Sequence, residues 1–193
     1  RYYRVMLDKL GVDVRLETRV SVDDLKAGNF DEVVLATGVE PRTPDIEGID
    51  HPKVIGYLDA LLERKPVGQK VAVVGAGGIG FDVAEFLTHE GDHSSLNIPE
   101  FMAKWGVDMS GEARGGVKNI QAKEAPSTRE VYLLQRKKSK VGKNLGKTTG
   151  WIHRAGLQKK GVKMFSACDY QMINEEGLSL TIAGEETSLV VDN

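Results

Sequence analysis

A glycine-rich run that follows a short apolar stretch carries the clearest chemical signal in the sequence. The segment VAVVGAGGIG, residues 71–80, places Gly75, Gly77 and Gly80 in the pattern G-x-G-x-x-G. The first glycine of such a pattern makes a tight turn, the second lets the backbone approach a pyrophosphate, and the third lets a helix pack closely on the preceding strand. The N–H groups at the start of that helix attract the anion. The predicted phosphate-binding residues are Gly75, Ala76, Gly77, Gly78, Ile79 and Gly80.

The roles of these glycines predict different outcomes for two substitutions. Gly77→Ala should lower nucleotide affinity, because a Cβ at this position would occupy the approach of the phosphate. Gly80→Ala should be milder, because it acts on helix–strand packing and some dinucleotide sites carry alanine there.

A basic run after a second apolar strand indicates which dinucleotide is bound. An NAD site usually has Asp or Glu at this strand end to hold the ribose hydroxyls, whereas an NADP site has a cation for the 2′-phosphate. Residues 133–140 read LLQRKKSK, with Gln135 where the acid would stand and no carboxylate nearby. Arg136 can clamp a phosphate with two hydrogen bonds, and Lys137 or Lys140 can add charge. The sequence therefore predicts NADPH; the other interpretation of the run is a solvated loop.

The glycine pattern requires a strand before it and a helix after it, and the sequence predicts both. Residues 71–74 are continuously apolar. Apolar residues then recur at helical spacing, namely Ile79, Val83, Ala84 and Leu87. The second strand, EVYLLQR, follows the glycines at roughly twice the usual distance of ~20 residues. We attribute the difference to an insertion at about 88–129, in which Asn97 and Pro99 begin one helix, 98–105.

The remaining segments predict further helices and strands on both sides of this unit. Two strands are predicted before it, an alternating one at 12–20 and an apolar one at 33–36. The other predicted helices span residues 1–10, 58–64 and 150–160, and three strand-like runs span 162–173, 178–184 and 187–193, the first two joined by the turn NEEG. Strands that alternate with helices predict an α/β, Rossmann-like fold.

Composition and charge exclude several classes of protein. The net charge is −2, yet ten Lys/Arg and no Asp/Glu stand between Val131 and Cys168. With Cys168 as its single cysteine, the chain has no disulfide framework and no cysteine-ligated cluster of its own. No apolar run approaches the roughly 18 residues of a membrane span, so we predict a cytoplasmic protein without a membrane partner. We predict no metal site, because Gly91 argues against a helix that would align His89 and His93, and no catalytic residue.

Three longer segments resemble one known enzyme family. They read VVLATGVEPRTPDIEGIDHPKV, VAVVGAGGIGFDVAEFL and LLQRKKSKVGKNLGKTTGWIHRAGLQKKGVKM. Together they resemble the C-terminal half of bacterial NADPH-dependent 2,4-dienoyl-CoA reductases, which belong to the Old Yellow Enzyme and trimethylamine dehydrogenase group. The resemblance covers nearly the whole chain, and its third segment is far more specific than a nucleotide-binding pattern.

The resemblance implies a division of the chain and a set of cofactors. In that family an N-terminal TIM barrel carries FMN and the catalytic Tyr and His, a 4Fe–4S cluster follows, and two glutathione-reductase-like domains bind FAD and NADPH. Residues 1–52 would then be a partial FAD-binding segment with a linker, and residues 53–193 the NADPH-binding domain. The loop of Ala36, Thr37 and Gly38 would pass close to FAD, whose site is shared with segments outside this sequence. FMN and the cluster would belong to the parent enzyme alone.

The function that the resemblance implies is delivery of hydride from NADPH to FAD in a 2,4-dienoyl-CoA reductase. We expect the chain alone to be catalytically silent, with the remaining domains of the parent flavoprotein as its partners. The alternative is the equivalent domain of a related NADH:flavin oxidoreductase or enoate reductase; trimethylamine dehydrogenase itself does not use NADPH. A basic run can also mark a nucleic-acid-binding module. Because aromatic residues are not interleaved with the basic ones, we expect no nucleic-acid partner.

Overall fold

The computed structural model describes residues 1–89, 91, 94–117, 120–123 and 127–193 of the chain. The chain divides into two compact units, Arg1–Arg42 and Thr43–Asn193, which are called the first and second units below. His93, one member of the histidine pair, lies outside the described residues. No helix in the described ranges is long and apolar enough to cross a membrane.

The first unit contains two short helices, α1 (Tyr2–Lys9) and α2 (Val22–Ala27). The first helix ends as the sequence predicts, because Gly11 follows it with a φ of +65° and donates its N–H to the carbonyl of Asp8 at 3.0 Å. The second helix begins with a capping box, in which Ser21 and Asp24 each accept a hydrogen bond from the other's backbone N–H. Neither helix has a buried residue, so local hydrogen bonds define both.

The prediction of strands at residues 12–20 and 33–36 is wrong. Neither segment forms a strand, and the side chains of Val34 and Leu35 are 85% and 81% exposed. A strand has N–H and C=O groups along both edges, so an apolar segment adopts this conformation stably only beside a partner strand. The fully described first unit offers no such partner.

The second unit has an α/β fold with two sheets. Its described α-helices are α3 (Tyr57–Leu61), α4 (Gly78–Thr88), α5 (Ile98–Trp105) and α6 (Gly150–Lys159). Its described strands are β1 (Lys70–Val74), β2 (Glu130–Leu134), β3 (Lys163–Phe165), β4 (Cys168–Ile173), β5 (Gly177–Ile182) and β6 (Glu185–Val190). The first three form a parallel sheet in the order β1-β2-β3, and the last three form an antiparallel sheet in the order β4-β5-β6.

The parallel sheet is the middle layer of this unit, and its side chains alternate between two cores. Val131 and Leu133 of β2 pack in one buried cluster with residues of α4 and α6. Tyr132 and Leu134 pack in the other cluster, against the antiparallel sheet. Because both faces are covered, the strand reads as the continuous apolar run VYLL rather than as an alternating one. This arrangement confirms the predicted Rossmann-like α/β architecture.

Helix α4 buries a face that differs from the predicted one. Val83, Ala84 and Leu87 are buried as predicted, but Ile79 is 51% exposed and Phe81 is 1% exposed. Ile79 lies in the first turn of the helix, which begins just beyond the carboxyl end of β1. Phe81 comes half a turn later and enters the core, where full burial of such a ring contributes about 1.5–3 kcal/mol.

The single strand-like run predicted at 162–173 is two strands in two different sheets. β3 ends at Phe165, and Ala167 has a φ of +58°, which redirects the chain into β4. The predicted turn NEEG is confirmed, with the side-chain oxygen of Asn174 accepting the N–H of Glu176 at 2.9 Å.

The last predicted run is a strand only in its first part. Residues 185–190 form β6, and the chain then runs beside β1, where the N–H of Asp192 donates to Lys70 and the N–H of Ala72 donates to Asn193. The Asp192 side chain accepts the N–H groups of Gln69 and Lys70, both at 2.8 Å. These contacts fasten the C-terminal residues to the amino end of β1.

The segment between α4 and β2, where the sequence predicts an insertion, contains the predicted helix. Asn97 accepts the N–H of Glu100 at 3.3 Å, and Gly106 ends α5 in the left-handed conformation. Lys159 of α6 lies with its Nζ 4.3 Å from the ring centroid of Trp105. This cation–π contact joins the insertion to the helix that precedes β3.

Candidate functional site

The turn between β1 and α4 has the geometry of an open backbone cradle. Gly75 has a φ of +114°, which residues with a side chain rarely adopt, and its N–H donates to the carbonyl of Leu134 at 3.0 Å. Gly77 is the residue before the helix, and no side chain caps the helix N-terminus. Gly77, Gly78 and Ile79 are exposed. The first N–H groups of a helix lack partners within the helix, so this end of α4 can accept an anion.

The space around the glycines separates their roles. Apart from its neighbours along the chain, a Cβ placed on Gly77 meets no atom of the described residues within 4 Å, so there is room at this position. A Cβ placed on Gly80 would overlap the carbonyl oxygen of Gly75 and lie 2.9 Å from its carbonyl carbon. Gly80→Ala must therefore displace the backbone of the turn, which makes it a costly change for stability. Its milder effect on nucleotide affinity stays a prediction.

The basic segment lies at the same edge of the parallel sheet as the glycine turn. Val74 pairs with Leu134 in parallel register, so the loops that follow β1 and β2 leave the sheet side by side. Arg136, Lys137 and Lys140 are exposed, and none of them forms an ion pair with a described carboxylate. The structure thus brings together the two groups of residues that the sequence assigns to the pyrophosphate and the 2′-phosphate. Binding itself stays a prediction.

Gln135 has a role that the sequence pattern does not reveal. Its side-chain amide nitrogen donates to the carbonyls of Lys137 at 3.0 Å and Ser139 at 2.7 Å. Its backbone N–H donates to Phe165, and its carbonyl accepts the N–H of Cys168. The sequence marks Gln135 only as the residue that replaces an acid, since nothing in its neighbours shows that its amide folds the loop.

The residues that follow the basic segment contact helices α4 and α6. Val141 is buried in the core, and its carbonyl accepts a hydrogen bond from Nε of Arg154 at 3.0 Å. Gly142 has a φ of +75° and lies so close to Phe81 that a Cβ would come 2.7 Å from the ring. The loop is therefore held at its start by β2 and at its end by the core.

Ala36, Thr37 and Gly38 are exposed residues in an irregular segment of the first unit. Gly38 has a φ of +80°, and nothing lies within 4 Å of a Cβ placed on it. The role of these residues near FAD stays a prediction.

Two further titratable groups lie between the sheets of the second unit. Burial raises the pKa of the Cys168 thiol, whose Sγ is 3.6 Å from the carbonyl of Phe165. Burial also raises the pKa of Tyr170, whose hydroxyl is buried with no hydrogen-bond partner among the described residues. Both groups belong to β4 of the antiparallel sheet and pack in the core cluster with Leu134 and Tyr132 of the parallel sheet. The described residues contain no group of three or more His, Cys, Asp or Glu that could hold a metal ion.

Comparisons with known proteins connect this geometry to flavoprotein reductases. The family profile described as pyridine nucleotide-disulphide oxidoreductase matches residues 1–193. A cinnamate reductase from Clostridium sporogenes is 43% identical over 96 residues, which cover 50% of this chain and 14% of that protein. A metal reductase from Desulforamulus reducens is 26% identical over 187 residues, which cover 95% of this chain and 27% of that protein.

One solved structure aligns with the full length of the chain. The 2-naphthoyl-CoA reductase in complex with 2-naphthoyl-CoA aligns with 100% of this chain and 24% of its own, with a TM-score of 0.65 and 25% identity. The chain therefore spans between 14% and 27% of the length of these three proteins.

Proposed function

Because this chain belongs to the pyridine nucleotide-disulphide oxidoreductase family, we propose that it is the NADPH-binding part of a longer flavoprotein reductase. Its fold is the Rossmann-like FAD/NAD(P)-binding fold of the glutathione-reductase-like proteins. In this proposal residues 53–193 form the NADPH-binding domain, with an insertion at about 88–129. Residues 1–52 are a linker and a segment of the FAD-binding domain, in which Ala36, Thr37 and Gly38 pass close to FAD.

The observation that supports this choice of nucleotide is the shared sheet edge of the two loops. The glycine turn offers backbone N–H groups without a competing side-chain cap. Beside it the segment after β2 presents Arg136, Lys137 and Lys140, which form no ion pair with a carboxylate of the described residues. A 2′-phosphate carries the charge that these cations match, and the ribose diol of NADH does not.

In this proposal the residues of this chain bind NADPH and orient it. The N–H groups at Gly77, Gly78 and Ile79 hold the pyrophosphate, and the dipole of α4 adds a positive potential. Arg136 provides a planar donor pair for the 2′-phosphate, and Lys137 and Lys140 add charge around it. The bound nicotinamide supplies the hydride that a flavin accepts.

The longer protein is proposed to be a 2,4-dienoyl-CoA reductase that also carries FAD, FMN and a 4Fe–4S cluster. A second candidate is a reductase of cinnamate-type enoates or aryl-CoA thioesters. The 43% identity to a cinnamate reductase and the structural match to 2-naphthoyl-CoA reductase favour this second candidate. Assay of the longer protein with a 2,4-dienoyl-CoA, cinnamate and 2-naphthoyl-CoA under reducing conditions distinguishes the two candidates.

Calorimetric titration of the 193-residue chain with NADPH and NADH tests the proposed nucleotide. NADPH should bind more tightly, because its 2′-phosphate meets cations that NADH leaves unused. Equal affinities would contradict the choice of nucleotide, and no binding of either would contradict the function.

The chain by itself should reduce no dienoyl-CoA and should carry no stable flavin. An absorbance spectrum of the purified chain checks this expectation. A yellow protein with stoichiometric flavin would contradict it.

A further inference from the structure

We propose that Gln135 is the residue that shapes the basic loop for a 2′-phosphate, so that it acts as a positioning and specificity-determining residue. This inference rests on the proposed NADPH function and names the structural device behind its selectivity.

The hydrogen bonds of Gln135 turn the segment after β2 back on itself. The amide nitrogen contacts the carbonyls of Lys137 and Ser139, two and four residues further along the chain. The carbonyl of Lys137 also accepts the N–H of Ala167 at 3.1 Å. The segment 136–139 is thus an arch that is fixed to its own starting residue and to the connection between β3 and β4.

The chemistry of these contacts fixes which atoms Gln135 must present. Both partners are backbone carbonyls, which only accept, so the NH2 group of the amide must face them and both of its hydrogens are used. Methionine at this position would keep the length of the side chain and lose both donors. Glutamate would place a carboxylate oxygen where the NH2 group lies, facing both carbonyl oxygens, which removes the two hydrogen bonds and adds repulsion.

The arch explains how several flexible cations become one phosphate site. Arg136, Lys137 and Lys138 lie on the arch, and Lys140 follows it; all four are exposed. Long side chains on a mobile loop must lose conformational freedom before they can converge on an anion, and a fixed backbone reduces that loss. The Gln135 amide therefore contributes to NADPH affinity without needing to touch the nucleotide.

Gln135 then accounts both for the weaker binding of NADH and for the stronger binding of NADPH. An acid at this strand end would hold the ribose hydroxyls of NADH, but in this chain it would also release the arch. Gln135 removes the carboxylate and at the same time fixes the loop that carries the cations.

The test uses Gln135→Met and Gln135→Glu in the 193-residue chain, with Gln158→Met as the matched control. Gln158 is an exposed residue of α6 outside both loops. Each protein is titrated with NADPH, NADH and 2′,5′-ADP, and circular dichroism checks that it folds.

We expect Gln135→Met to lower the affinities for NADPH and 2′,5′-ADP about tenfold, consistent with the loss of one or two neutral hydrogen bonds. Its affinity for NADH should stay within about twofold of the parent. Gln135→Glu should weaken NADPH further and move the preference toward NADH, whereas Gln158→Met should match the parent.

A purely structural role would weaken NADPH and NADH equally, and that result would overturn the inference, as would an unchanged ratio of the two affinities. A parent chain that shows no preference for NADPH and no affinity for 2′,5′-ADP would instead contradict the proposed function, before any variant is compared. If the variants do not fold, the hydrogen bonds of Gln135 can still be tested by amide-proton exchange in the parent chain. The side-chain amide protons of Gln135 should exchange with solvent at least tenfold more slowly than those of Gln158, and equal exchange would overturn the proposed hydrogen bonds.

Discussion

The two units of the chain use their apolar residues in opposite ways. In the second unit, Phe81 and Leu133 are 1% and 0% exposed within a core that joins helices to the parallel sheet. In the first unit, Val34 and Leu35 are more than four-fifths exposed although their sequence is equally apolar. The difference shows that an apolar run becomes a strand only where other layers of the same unit cover it and pair with it.

The helices of the two units also differ, because one is stabilised by a local cap and the other by burial. α2 depends on its capping box, a local device that needs only Ser21 and Asp24. α4 has no side-chain cap, and its position depends on burial against the sheet. A helix that uses packing can leave its N-terminus open, which is what a phosphate site requires.

The largest expected difference between the units concerns their cores. Phe81→Ala should lower the free energy of unfolding by about 3–5 kcal/mol, because it removes a fully buried ring from a packed cluster. Val34→Ala should change it by less than about 0.5 kcal/mol. Urea unfolding followed by circular dichroism measures both; equal effects would show that the first unit is packed after all.

The two glycines of the turn should separate stability from binding. Gly80→Ala should lower the free energy of unfolding by about 1–3 kcal/mol, because its Cβ overlaps the Gly75 carbonyl. Gly77→Ala should cost less than about 1 kcal/mol of stability and should nevertheless abolish most NADPH binding. Thermal melting and NADPH titration of both variants check these outcomes. If folded Gly77→Ala binds NADPH like the parent, the pyrophosphate does not lie on this turn.

Removal of an arginine side chain should change nucleotide affinity when the arginine is Arg136 of the second unit, and should not when it is Arg19 of the first. Arg136→Ala should weaken NADPH by roughly 1–3 kcal/mol, the range for a hydrogen bond to a charged group, and leave NADH nearly unchanged. Arg19→Ala, at an exposed arginine of the first unit, is the matched control and should change neither affinity. Calorimetry decides the matter, and a loss of NADH binding that equals the loss of NADPH binding would exclude a 2′-phosphate contact.

The smallest expected effect is a pH dependence at the start of β1. Hydrogen bonds from the N–H groups of Lys70 and Gln69 hold the pKa of Asp192 below its usual range. The carboxylate therefore stabilises the second unit above the unfolded pKa of about 3.9, and this contribution is lost as pH falls through the lower pKa of the folded state. Asp192→Asn should lower the melting temperature at pH 7, and the difference from the parent should shrink below about pH 4.

Asp24 is the control for that experiment in the first unit. The hydroxyl and N–H of Ser21 lower its pKa in the same direction, but α2 has no buried residue. Asp24→Asn should therefore leave the cooperative melting transition where it is in the parent. A shift as large as that of Asp192→Asn would contradict the contrast between the two units.

Much of the candidate site could be predicted because its signals are local. The positive φ at Gly75 follows from steric rules that act over a few residues. The same holds outside the site for the cap at Asn97 and the left-handed Gly106, which begin and end α5. The parallel order of β1 and β2 follows from a strand–helix–strand sequence, and it places the glycine turn and Arg136 at one sheet edge.

Other features depended on which segments meet in space. Helical spacing places Ile79 on the same face as Val83 and Leu87 and leaves Phe81 off that face, yet Phe81 is 1% exposed and Ile79 is 51% exposed. Residues 33–36 have a strand sequence without a partner strand in their unit. The sequence by itself determined the turns, the caps and the charge of the site. Only the tertiary structure decided the burial of Phe81 and the hydrogen bonds of Gln135, because burial and loop closure depend on atoms that the local sequence does not contain.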